Sequence, residues 1–137
     1  MTPTEAKQEV DALYGATRDS VGGEWNEAGR SWEFCPLPDG SDGNAYRFFA
    51  QRREQPLTDP ESVAEAVRLV WAQHGHDVKV EFDGTLTPKR YILSDPAWLA
   101  GTGKDGLLFQ FTVGENYADF SGDSRCVQGD PDDALAE

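Results

Sequence analysis

Residues 59–75, DPESVAEAVRLVWAQHG, constrain the fold more tightly than any other stretch of the chain. Asp59 suits an N-cap, Pro60 the first helical turn and Gly75 a left-handed exit. Between them Val63, Ala66, Val67, Val70, Trp71 and His74 recur at the 3.6-residue period, which predicts one apolar stripe. Glu61, Glu65, Arg68 and Gln73 point away from it. A helix with two such different faces needs a sheet to cover, and strand-like segments lie on both sides of it.

Upstream, Thr2, Pro3 and Glu5 form a capping box with proline at the first helical position. The pattern predicts a helix over residues 3–20 that buries Ala6, Val10, Leu13, Tyr14, Thr17 and Val21 and stops at Gly22-Gly23. A helix that starts at residue 2 reads as a domain edge. Strands are expected over residues 31–37, with Trp32 and Phe34 on one face, and over residues 45–53, with Tyr46, Phe48 and Ala50 inward. PDGSDGN at residues 38–44 is the hairpin loop between them.

After the central helix, residues 77–82 alternate Val78, Val80 and Phe82 inward, and Asp83-Gly84 signals a turn. Strands follow over residues 90–93, 107–113 and 117–121, with an irregular loop over residues 94–106. The order α-β-β-α-β-β-β-β predicts an α+β domain: an antiparallel sheet with two helices on one face. Residues 1–128 read as that single domain, and residues 129–137 as an acidic, flexible tail.

Composition decides which partners are excluded. Twelve basic against 25 acidic residues leave a net charge of −13, so phosphate backbones would be repelled and nucleic-acid binding is not expected. An acidic surface fits solubility, a basic partner or a cation. With 38% apolar residues the 137-residue chain has enough material for a core and does not read as disordered. No run approaches the roughly 20 apolar residues of a membrane span. Met1 is followed directly by TPTEAKQ, not by a signal peptide, which fits either a cytoplasmic chain or a mature portion.

Cys35 and Cys126, the two cysteines, stand 91 positions apart, each beside a predicted strand. Joined, they would place the protein outside the reducing cytosol, and the closed loop would stabilise it by about 4–5 kcal/mol. The alternative is two buried thiols in an intracellular domain. Compartment logic favours the disulfide.

Reactive patterns are incomplete. Gly101-Thr102-Gly103-Lys104 lacks the leading glycine and trailing hydroxyl of a phosphate loop. Asp39, Ser41 and Gly43 sit at calcium-loop positions, but Ala50 stands where a bidentate Glu is required. That leaves turn chemistry ahead of a looser cation site at Asp39, Asp42 and Asn44. His74 and His76 lack further ligands; His74 is read as a polar end of the core and His76 as a solvent residue. Gly122-Asp123-Ser124 lacks the glycines that shape an oxyanion hole and is read as a turn. Of the four tryptophans, Trp71 and Trp32 are read as core; Trp25 and Trp98 lie in loops and are the candidate partner-binding residues. The long loop at residues 94–106, with Trp98, is the candidate functional segment.

The segments PTEAKQEVDALYGAT, RSWEFCPLPDG, DPESVAEAVRLVWAQHG and GDSRCVQG together resemble the soluble part of small actinobacterial secreted lipoproteins of the LppA-like type. The resemblance implies export, a lipid anchor on a cysteine upstream of residue 1, and residence at the outer face of the cell membrane. It carries over no catalytic residue.

Three functions compete. The first is a non-enzymatic extracytoplasmic binding or accessory module, with no cofactor or metal and with an unidentified protein or small-molecule partner. The second is an intracellular acidic antagonist, such as an immunity protein, of a basic toxin or nuclease. The third is a hydrolase built on Ser124 or on the pair Asp119 and Asp123.

Overall fold

The structure is a computed structural model that describes residues 1–85, 89–98, 100, 101, 103 and 105–129. Two helices and six strands run in the order α1 (Pro3–Val21), β1 (Asn26–Pro36), β2 (Asp42–Arg53), α2 (Pro60–Gln73), β3 (Glu81–Asp83), β4 (Arg90–Asp95), β5 (Leu108–Gly114) and β6 (Tyr117–Asp123). All neighbouring strands are antiparallel, in the spatial order β1-β2-β6-β5-β4-β3. The expected α+β architecture is therefore present. The first hairpin docks along the last strand, which brings the two halves of the chain into one sheet.

Both helices begin as their sequences dictate. In α1 the Glu5 amide donates to the Thr2 hydroxyl at 3.2 Å while the Thr2 amide donates to the Glu5 carboxylate at 3.0 Å. In α2 the Asp59 carboxylate accepts from the Ser62 amide at 3.2 Å. The helices touch each other and share one face of the sheet, α1 over β2 and β6, α2 over β4 and β5. Between helices and sheet lie Val10, Leu13, Val67 and Trp71 against Tyr46, Phe48, Leu93, Phe109, Phe111 and Phe120. Gly122 sets how closely α1 approaches: a Cβ there would stand 2.9 Å from Val10 Cγ1.

The buried line of α2 is Ala64, Val67 and Trp71, flanked by half-buried Val63 and Val70, while Ala66 and His74 face solvent. The strands also differ from expectation: β2 begins at Asp42, inside the stretch 38–44 read as a hairpin loop, and β4 and β6 run on to Asp95 and Asp123. β1 starts five residues earlier than residue 31, and its Phe34 is 66% exposed because neither α1 nor α2 lies over that strand. Of residues 77–82 only 81 and 82 join β3; Val78 and Val80 pack half-buried on the core, and Phe82 is 54% exposed beside Tyr91. Beyond β6, Val127 exchanges both backbone hydrogen bonds with Asn44, and the tail from residue 130 lies outside the described residues.

Candidate functional site

Two places combine the sequence-predicted residues with a recess. The first is the junction closed by the Cys35–Cys126 disulfide, whose Cα atoms are 6.0 Å apart. It ties β1, next to its C-terminal end, to the segment after β6. Gly43 makes the bond possible. It pairs with Cys35 across the hairpin, and a Cβ there would stand 2.7 Å from Cys126 Sγ.

The neighbouring backbone is clamped as well. The Cys126 amide donates to the Asp105 carbonyl at 2.7 Å, and Arg125 pairs with both Glu9 and Asp105. Burial works against the Asp105 carboxylate, but Arg125 and the Leu107 amide outweigh it and hold it below the usual carboxylate range. A groove of about 640 Å³ opens here, walled by Pro36, Leu37, Pro38 and Gly106 beside the disulfide.

The second place lies where α2 hands over to the sheet. Gly75, at φ +88°, ends the helix in a Schellman turn: its own amide bonds Ala72 O at 3.1 Å and the His76 amide bonds Trp71 O at 2.9 Å. This turn sends His76 back into the core, so the expected roles of the two histidines are exchanged. His74 is exposed, and His76 is only 6% exposed, edge-on to Phe109 with ring centroids 5.0 Å apart. Its Nδ1 lies 2.7 Å from the Asp95 carboxylate at the end of β4.

Beside this pair is a recess of about 250 Å³, lined on one side by Asp77, Lys79 and Glu81 and on the other by Asp95, Ala97 and Trp98. Trp98 is half-buried, with the Arg90 guanidinium 6.0 Å from its ring. Arg90 is held in turn by Asp83 at 3.1 Å. The hydroxyl and amide of Thr85, then Arg90, keep the Asp83 carboxyl below its ordinary range. A chain of contacts from Thr85 to Trp98 thus braces one wall of the recess.

The other candidate residues are placed otherwise. Trp25 is half-buried at the end of α1, edge-on to Tyr14, with its indole N–H donating to Gly22 O at 3.0 Å. Asp39 accepts from the Ser41 amide at 2.9 Å, an Asx turn. Thr102 and Lys104 lie outside the described residues.

Ser124 is fully buried: its Oγ accepts from the Tyr46 amide at 2.8 Å and donates to Arg125 O at 2.9 Å. That hydroxyl serves the sheet end and is closed to any substrate. Ser94 lines the same recess as Asp95, and its Oγ is engaged at 2.6 Å by the Pro96 carbonyl, to which it donates, and at 3.3 Å by the Gln110 amide, from which it accepts. Asp119 and Asp123 lie four residues apart on one strand, roughly 13 Å along it, beyond the separation at which two carboxylates share a glycosidic bond. Burial raises both carboxyls, only partly offset by Arg53 and Arg47 respectively.

No family model and no curated protein matches the sequence. The fold is similar to that of a crystal structure of a DUF4853 family protein from Actinomyces odontolyticus ATCC 17982. The TM-score is 0.51 at 17% identity, over 91% of this chain and 69% of that one. At that identity the likeness is one of fold alone.

Proposed function

We propose that the chain is a non-enzymatic extracytoplasmic binding or accessory module. In its native form it is held at the outer face of the cell membrane by a lipid on a cysteine outside this sequence. The observation that carries the reading is the Cys35–Cys126 bond, which belongs to an oxidising compartment. The resemblance to LppA-like actinobacterial lipoproteins supports the same compartment. The recess beside Trp98 is the binding surface of choice, since its aromatic wall is braced by Arg90 and Asp83.

An intracellular acidic antagonist of a basic toxin or nuclease is the second reading; the net charge of −13 favours it and the disulfide does not. Exposing intact cells of the native host to a membrane-impermeant protease separates the two. The extracytoplasmic module is digested while cytosolic markers survive. Survival of the protein until the cells are lysed overturns the first reading and leaves the second.

A further inference from the structure

We propose that β1 is the seat of a two-fold symmetric dimer in which a second copy of this chain extends the sheet. Among the described residues β1, 11 residues long, is hydrogen-bonded to β2 alone, and α1 reaches it through side chains at Glu27 and Arg30. Its other edge presents unpaired backbone groups, the standard template for strand addition. The opposite edge of the sheet, β3, has only three residues.

The side chains of β1 are self-complementary. A bulge interrupts its start between Asn26 and Gly29, so the regular stretch runs from Gly29 and its first seven residues centre on Trp32. Antiparallel pairing about Trp32 sets Trp32 against Trp32 of the second copy. Arg30 then stands opposite Phe34, Ser31 opposite Glu33 and Gly29 opposite Cys35, each pair occurring twice. No like charges stand directly opposite one another. On the helix side, the 66%-exposed Phe34 packs on the aliphatic stem of Arg30, whose guanidinium stays bonded to Glu27 and Tyr46 of its own chain, and the two half-buried tryptophans cover each other. The disulfide holds the end of β1 in place for this pairing. The charge of −13 on each copy opposes association, so the dimer tightens as salt screens it.

Ser31 gives the test. It is exposed, pairs with Arg47 within the chain and would face Glu33 of the second copy. Ser31→Glu therefore places a carboxylate beside Arg47 in the monomer but creates two like-charge pairs in the dimer. Ser31→Lys does the reverse on both counts. Sedimentation equilibrium of the full chain should show a dimer that Ser31→Glu weakens about tenfold and Ser31→Lys tightens. In the monomer Arg47 is already held by Glu33, so thermal unfolding of the monomer should change little with either substitution. Phe34→Ala, at a position exposed in the monomer, should weaken the dimer without altering monomer stability. A wild-type chain that stays monomeric up to high protein and salt concentration overturns the proposal. So does a dimer whose affinity ignores all three substitutions, since it must use another face.

Discussion

The indole N–H of Trp71 donates to the hydroxyl of Thr17 at 2.9 Å, and that hydroxyl donates to the Leu13 carbonyl at 2.7 Å. Trp71 and Thr17 are fully buried, so this bond pins α2 to α1 inside the core. Thr17→Val keeps the shape but leaves the indole N–H without a partner. It should cost about 1–3 kcal/mol in urea unfolding, while Thr17→Ser, which retains the acceptor, should cost less. Equal losses for the two variants would show that the hydroxyl contributes nothing.

Gly43 governs the disulfide. Reducing the wild-type bond should lower stability by about 2–5 kcal/mol. In Gly43→Ala the new methyl crowds Cys126 Sγ, the Leu37 side chain and the Cys35 carbonyl. The oxidised form loses the most, so the gap between oxidised and reduced melting temperatures should narrow. An unchanged gap would mean that the junction relaxes freely around the methyl.

Asp95 is expected to matter through His76. Asp95→Ala strips the buried imidazole of its partner and should destabilise the fold by about 1–3 kcal/mol. Asp95→Asn retains an acceptor and should recover most of the loss. Chemical denaturation of both variants, followed by tryptophan fluorescence, measures the difference.

Asp119 carries a pH signature. Burial raises its folded carboxyl above the unfolded value, and its Oδ1 is buried without a partner. The folded state therefore binds the proton more tightly than the unfolded state does. Its contribution is most favourable at low pH and is lost as pH rises from the unfolded value of about 3.9 through the raised folded value. Asp119→Thr removes the charge from a strand position and should stabilise the protein by about 1 kcal/mol at neutral pH. The gain should shrink as pH falls below about 4. A gain independent of pH would assign the effect to strand propensity alone.

Much of this fold was legible because its local signals agree. Thr2 and Glu5, Asp59, Pro60 and Gly75 mark the helix ends chemically, and the alternation in β2 and β5 needs only the backbone pleat. The errors arose where burial depends on what lies above a strand. Phe34 has the spacing of a core residue, yet it ends on a strand that no helix covers. Phe82 is exposed for a related reason: β3 is the far edge of the sheet, beyond β4 and β5 on which α2 sits.

The two histidines exchange the places that spacing alone predicts, and the sequence carries the signal for it. Gly75 suits a left-handed exit, and in a Schellman turn the residue after that glycine folds back onto the last turn of the helix. His76 occupies that position, with its ring 6.5 Å from Trp71. Gly43 was hidden by its neighbours, since PDGSDGN looks like turn composition throughout. Only the register that sets Gly43 opposite Cys35 shows that its missing side chain makes room for sulfur.

The most direct measurement is the intact mass of the protein purified from its native host, alkylated under denaturing conditions before and after reduction. An exported module with its Cys35–Cys126 bond formed takes up no label before reduction and two labels after it. Two labels without reduction would contradict the extracytoplasmic reading and place the chain in a reducing compartment.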